Sequence, residues 1–354
     1  MELDLEWQSF LENDELPDYK KIDSVVREEV NDEPKCSDIY ISTKTKISYL
    51  NQKINLNDVF WKINLIKYSE YKEGVIKKQM KFNSLSKEEL EENLLKIKPT
   101  DIVENHIINH IENPDGRIKF KDVRKISIGL SNKDIISCRR KKRGAFYNCF
   151  VVILRIKLNE KYKEVHIKVF NTGKLEIPGI QNDEMLTKAL DLLVNELKSI
   201  SEISEELTYL SEKNETVLIN SNFNCGYFIN RDKLYNKLRY DYNIHCAYDP
   251  CSYPGIQCEF YYNNEVEKQT GIQPIQQNDK DGITKVSFMI FRTGSVLIVG
   301  KCTENILEEI YTYLKRLLKK EYINISSNID ISSSLKQKKN ASSRKKILYT
   351  FYKS

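Results

Sequence analysis

Eight cysteines and four histidines are the residues of this 354-residue chain best suited by type to metal binding or thiol chemistry. His245, Cys246, Cys251 and Cys258 cluster and offer zinc ligands, but Cys-x4-Cys-x6-Cys matches no common structural spacing. Cys36, Cys138, Cys149, Cys225 and Cys302 are scattered, and no CxxC pair occurs, so the thiols read as reduced. His106 and His110 stand four apart, one face of a helix, yet Ile107, Ile108 and Asn109 between them supply no glutamate for metalloprotease chemistry. No paired carboxylates or nucleophile constellation accompany them. The expectation is a protein that is not an enzyme and needs no cofactor or metal.

Charge points elsewhere. The formal net charge is +5, but residues 1–35 carry twelve acids against four bases, and residues 323–354 carry seven bases against one acid. The body between these ends is basic, which suits a polyanionic partner. No apolar run reaches 18 residues, and Met1–Asp14 is acidic where a secretory leader is basic and then apolar, so a soluble intracellular chain is expected. Residues 1–35 read as an acidic flexible arm and residues 324–354 as a basic Ser/Lys-rich flexible tail.

The elements that must position any site repeat themselves. Val169–Gly179 aligns without gaps on Ile290–Gly300, an offset of 121 at which Phe170-x-Thr172-Gly173 meets Phe291-x-Thr293-Gly294. Leu186, Leu193 and Leu197 fall on Leu307, Leu314 and Leu318 at the same offset, and each set belongs to a 3,4-spaced apolar stripe of a long helix. Strands are expected at Cys149–Ile156, Lys163–Phe170, Ile256–Tyr262, Thr284–Phe291 and Ser295–Gly300, with hairpin turns at the two Thr-Gly pairs. Upstream, residues 51–56 match 226–231 at an offset of 175, with Asn55 and Asn230 placed to cap short helices. One half carries a large insertion, about residues 70–144, expected to hold a helix at Ser86–Leu95, a second at Ile102–Ile111, and the basic run Arg139–Arg143. The other half carries a shorter polar loop before Thr284, around Thr270-Gly271, Pro274 and Gln276-Gln277.

Tyr248-Asp249-Pro250-Cys251-Ser252-Tyr253-Pro254-Gly255, with the twice-recurring Phe-x-Thr-Gly turn and closing helix, resembles the TATA-binding protein family. The resemblance covers about residues 39–67, 145–200 and 215–322. It implies an α+β fold: a saddle of two pseudo-symmetric repeats, each a curved antiparallel sheet with one short and one long helix. Repeat 1 would span 36–205 with its insertion, and repeat 2 would span 206–323. Abundant Asn, Lys and Ile suggest a giant-virus or protist relative.

The resemblance implies a transcription initiation factor that binds and bends AT-rich promoter DNA through the minor groove. Its partners would be IIB-like and IIA-like factors and RNA polymerase machinery, in a nucleus, a cytoplasmic viral factory or a virion. Phe170, Phe291 and Tyr253 match wedges that unstack base steps. The first wedge of the first half stays open among Cys149, Phe150, Phe146 and Tyr147. Pro254, Thr45, Asn220, Leu297, Val299 and Met289 would line the groove. Lys168, Arg155, Lys157, Lys174 and Arg292 would reach phosphates. Asp249 and Cys251 match partner-binding positions, and Lys315, Arg316, Lys319 and Lys320 would decorate the helix side. Glu176 and Pro178 depart from the family, and Glu176 toward DNA would repel it. Ungapped alignment places Thr43 and Leu218 where the family has Asn, and a one-residue slip before Tyr49 would turn Lys44 and Lys46 toward DNA and Ile39, Ile41 and Ile47 toward the core. The other reading is a protein-interaction platform of the same fold that has lost DNA bending.

Overall fold

Two-residue alternation and 3,4-spaced apolar stripes alternate along the chain, and they set down twelve strands and six α-helices among the described residues. The computed structural model describes residues 34–98, 102–136, 148–200, 206–274 and 282–327. Most of the acidic arm, most of the basic tail, Cys138, Arg139–Arg143, Phe146, Tyr147 and Gln276-Gln277 lie outside the described residues.

The first half runs β1 (Tyr40–Tyr49), α1 (Leu56–Lys62), β2 (Gly74–Ser84), α2 (Lys87–Leu95), β3 (Val103–Glu112), β4 (Phe120–Gly129) and α3 (Asn132–Ile136). It closes with β5 (Cys149–Leu158), β6 (Lys161–Phe170), β7 (Lys174–Ile180) and α4 (Asp183–Lys198). The second half runs β8 (Glu215–Asn224), α5 (Arg231–Asn236), β9 (His245–Ala247), β10 (Ile256–Asn263), β11 (Ile283–Ile290), β12 (Ser295–Gly300) and α6 (Glu304–Ile325). All strands join one antiparallel sheet in the order β3-β4-β2-β5-β6-β7-β1-β8-β12-β11-β10-β9. Outward from the central β1–β8 pair, the order β7-β6-β5-β2 on one side answers β12-β11-β10-β9 on the other.

Both long helices form where expected, because each carries an apolar stripe and a capped start. Asn182 accepts from the Met185 N–H at 2.9 Å and Thr303 from the Ile306 N–H at 3.3 Å. Met185, Leu186, Ala189, Leu190, Leu193 and Leu197 bury one face of α4, and Leu307, Ile310, Leu314, Leu317 and Leu318 one face of α6. Each large apolar side chain so buried contributes about 1.5–3 kcal/mol. The buried residues form two clusters, one containing α4 with alternate residues of β5, β6 and β7, the other α6 with alternate residues of β8, β10, β11 and β12. The sheet therefore has a helix-bearing face and an open face.

The short helices also form, but their caps differ. The Asn230 side chain accepts from the Lys233 N–H, whereas Asn55 turns its amide to Asp58 and makes no cap bond.

The insertion corrects one expectation. Lys87–Leu95 is a helix whose start is capped: the Ser86 hydroxyl accepts from the Glu89 N–H, and the Glu89 carboxylate accepts from the Leu85 N–H. The segment Ile102–Ile111, expected as a helix, instead contributes to strand β3, Val103–Glu112. A register shift between Ile107 and Asn109 breaks the alternation, so apolar residues fall at helix-like intervals along a bulged strand. His106 and His110 consequently flank the bulge and project from opposite faces.

The β3–β4 hairpin is pinned by a buried carboxylate. Asp122 accepts from Arg124 Nε at 2.5 Å and Nη2 at 2.7 Å, and His110 Nδ1 lies 2.8 Å away. Burial alone would raise this carboxyl, but the hydrogen bonds from Arg124 and His110 outweigh it and hold it below its ordinary value. The stability it supplies is therefore present above the unfolded carboxyl value and lost as pH falls through the lower folded one. An Asp122→Asn variant is expected to lose about 2 kcal/mol at neutral pH, because Arg124 loses its counter-charge. Urea melts should show the two proteins converging at acid pH; a pH-independent gap contradicts the assignment.

Candidate nucleic-acid interface

Register fixes which side chains share the open face, since residues directly opposite one another point the same way. Phe150, Val152, Leu154 and Ile156 of β5 join the core, leaving Cys149, Val151 and Ile153 on the open face. Cys149 lies directly opposite Phe170, and Val151 opposite Lys168. Phe150 is fully buried in the core and cannot be a wedge; Cys149 stands beside Phe170 in its place. Burial pushes the Cys149 thiol up to about 11, although nearby Lys168 opposes this, so it presents a small neutral surface at neutral pH. Phe146 and Tyr147, the other two alternatives, lie outside the described residues.

The second half supplies two rings. Ile256 pairs with Ile290, which brings Gly255 level with Phe291 and sets Tyr253 two residues further out. The Tyr253 and Phe291 centroids are 6.0 Å apart, and a Cβ on Gly255 would come within 3.0 Å of both rings. The Tyr253 hydroxyl donates to Met289 Sδ at 3.3 Å, and burial pushes the phenol up to about 12. Tyr253 and Cys149, offset by 104 in sequence, are therefore not equivalent in register: the halves differ here by two residues.

Both Phe-x-Thr-Gly turns are held alike. Leu50 N–H donates to Gly173 O at 2.8 Å and Ile54 N–H to Asn171 O at 3.1 Å; Cys225 N–H donates to Gly294 O at 2.9 Å and Ile229 N–H to Arg292 O at 2.9 Å. Donors are 175 apart and acceptors 121 apart, the two offsets read from the sequence. Each turn is thus tied to the segment that follows the central strand of its own half.

The centre of the face is polar. Asn220 donates to the Thr43 hydroxyl at 3.2 Å, and Thr45 lies opposite Leu218. Asn222 and Asn224 continue the same face of β8, opposite Leu297 and Ser295. The sequence reading missed these two, although Asn at 220, 222 and 224 is a period-two signal. Thr45, Leu218, Met289 and Val299 point to this face but are buried by their neighbours, while Leu297 is half-buried.

The register does slip before Tyr49, but the lysines do not turn toward the open face. Register shifts flank Thr45, and Lys44 and Lys46 point to the helix-bearing side, where they meet Glu304 at 2.6 Å and Asp183 at 3.5 Å. Ile39 and Ile41 do pack on the core, but Ile47 lies opposite Glu176 on the open face.

The expected phosphate contacts divide. Lys174 sits 5.6 Å from the Phe170 centroid, and Arg292 is exposed beside its turn. Lys168 faces Glu176 across the strands and binds it at 2.5 Å, so the expected repulsion is neutralised locally and Lys168 is not a dedicated phosphate ligand. Arg155 is corrected outright: it is buried, donates to the carbonyls of Glu70 and Tyr68 at 2.7 and 2.9 Å, and stacks on the Tyr68 ring. Lys157 pairs with Glu160.

Helix α3 covers one corner of the open face: the Asn132 N–H binds Glu164, and Lys77 pairs with Asp134 at 2.8 Å. His166 beneath it is pushed down to about 4, by burial first and by Lys133 and Lys77 second.

The Asp249 turn is exposed. Its carboxylate accepts from the Cys251 N–H at 3.0 Å, and bonds from Ser252 and Cys251 hold it below its ordinary value. Exposed Pro254 has its carbonyl held by Arg231, which also lies over the Tyr248 ring. The His245–Cys258 cluster diverges: Cys246 and Cys258 oppose each other on the core side, His245 pairs with Glu259 on the open face, and Cys251 is exposed. Among the described residues, no three His, Cys, Asp or Glu side chains gather as a metal site.

No family model matches the chain. It is 24% identical over 217 residues to a "TATA-box-binding protein-like" protein of Acanthamoeba polyphaga mimivirus, covering 54% of this chain and 54% of the relative. The chain thus spans about half the length of the curated relative it matches. Among solved structures it matches Methanococcus jannaschii TBP with a TM-score of 0.38 and 12% identity, over 80% of this chain and 99% of that one. The resemblance drawn from the motifs, and its giant-virus flavour, is found again by direct comparison.

Proposed function

We propose that this chain is a TATA-binding-protein-like transcription initiation factor whose open face binds and bends AT-rich promoter DNA in the minor groove. The observation that carries the reading is the recurrence, in both halves, of a phenylalanine before a Thr-Gly turn held by the same pair of backbone hydrogen bonds. Two repeats, 36–205 and 206–323, then form a saddle about the β1–β8 pair. Phe170 beside Cys149 at one end, and Phe291 with Tyr253 at the other, are the wedges that open base steps. The Thr43–Asn220 pair and Asn222 face the groove floor, where A·T pairs offer acceptors and lack the guanine amino group.

Lys174 and Arg292 are the phosphate contacts beside the wedges. The exposed Asp249–Cys251 turn is the docking point for a IIB-like factor, and the polymerase machinery follows from that recruitment. The role is non-enzymatic, in a nucleus, a viral factory or a virion. Support comes from the mimiviral relative's name and from the turn geometry.

Fluorescence anisotropy on AT-rich and GC-rich duplexes tests it. Preference for the AT-rich duplex should be at least about thirtyfold, since each wrong base pair costs about 1–3 kcal/mol. Equal affinity, or none at low salt, would favour the interaction-platform reading.

A further inference from the structure

The inserted hairpin does more than lengthen the sheet. Met80 of β2 pairs with Phe150, so Lys81 comes level with Cys149 one step on. Lys81 is directly opposite Lys125 of β4, and Lys125 is opposite His106 of β3. Met80 and Phe82, the neighbours of Lys81, and Ile126, next to Lys125, lie in the core, so this row occupies the open face. Phe170, Cys149, Lys81, Lys125 and His106 therefore form one cross-strand line over five adjacent strands. Neighbouring strands are about 4.8 Å apart, which puts the backbone of Lys81 about 5 Å, and that of Lys125 about 10 Å, from Cys149.

Lys121 stands four residues before Lys125 on the same face and is half-buried. Among the described residues Glu104, opposite Ser127, lies on this same face, and Glu104, Lys81 and Lys125 each have a partner. Lys81, Lys121 and Lys125 against Glu104 leave this face of the hairpin net basic. Among the described residues the opposite end of the sheet shows no such row: β9 has three residues, and its open-face His245 is paired with Glu259.

We infer that the inserted hairpin is a second DNA-binding surface, gripping the phosphate backbone of duplex DNA beyond the first-half wedge through Lys81 and Lys125. This rests on the DNA-binding reading above and adds a flank contact that is independent of base sequence. The contact exists at one end only and therefore gives the protein a direction on otherwise near-symmetric AT-rich DNA.

The test compares a duplex limited to the AT-rich core with one carrying the same core and a random flank, using wild type, Lys81→Ala/Lys125→Ala and Lys81→Arg/Lys125→Arg. Each lost phosphate contact lowers the slope of log K against log salt by about 0.9, so the alanine pair should lower it by about 1.8 on the flanked duplex. Over about 50 to 200 mM salt this makes the variant's loss of affinity about tenfold smaller than that of wild type. On the core duplex the slope should not change, and the arginine pair should restore the wild-type slope on both. An unchanged slope on the flanked duplex, or an equal change on both duplexes, overturns the flank contact while leaving the DNA-binding reading intact. Failure of wild type to bind either duplex overturns both. Thermal melting separates these outcomes from misfolding, and the charge-preserving pair keeps the test decisive if the alanine pair is unstable.

Discussion

A Phe170→Ala/Phe291→Ala variant is expected to leave AT-rich DNA straight, with the fluorescence-transfer signal of bending reduced to that of free duplex. Affinity should fall roughly a hundredfold, because opening each base step costs a few kcal/mol that only an inserted side chain repays. The single variants should differ. Cys149 is the described neighbour of Phe170, so Phe170→Ala leaves a thiol where a ring had stood. Tyr253 remains 6.0 Å from the place vacated in Phe291→Ala and continues to offer an aromatic surface. Phe170→Ala should therefore cost more bending than Phe291→Ala. Bending unchanged in the double variant would remove these residues from the interface.

The second large effect concerns folding. Gly294 has φ +80°, and a Cβ there would lie 2.3 Å from the Tyr227 carbonyl oxygen and 2.9 Å from Cys225 Sγ. Gly294→Ala should cost about 4 kcal/mol: about 1–2 for the left-handed backbone and the rest for pushing two segments apart. Gly179 provides an internal control, since it has φ +82° with nothing within 4 Å of its would-be Cβ. Gly179→Ala should lose only about 1 kcal/mol. Urea denaturation of the two variants measures the difference; equal losses would mean that packing of the turn contributes nothing.

Features governed by local periodicity were legible in the sequence. The stripes of α4 and α6, the β5, β10, β11 and β12 strands, and the two Thr-Gly turns all stand close to where their residues demanded. Features governed by distant partners were not. Arg155 sits at an open-face position by alternation, and only the carbonyls of Tyr68 and Glu70, more than eighty residues earlier, turn it into a structural clamp. The β3 strand was disguised by its bulge. Phe150 and Cys149 are adjacent, and only their partners in β6 decide which enters the core. Lys44 and Lys46 alternate like residues on one solvent-facing side of a strand, yet each answers an acid in the first turn of a long helix.

Those two lysines carry a consequence for how the molecule comes apart. β1 is hydrogen-bonded to β7 on one side and β8 on the other, and it reaches Asp183 of α4 and Glu304 of α6 from neighbouring positions. Each exposed ion pair is worth little by itself. The strand as a whole is a shared seam, and severing it would leave two raw edges, each a template for aggregation. The two halves share this one strand, so a cut between them would expose both edges at once.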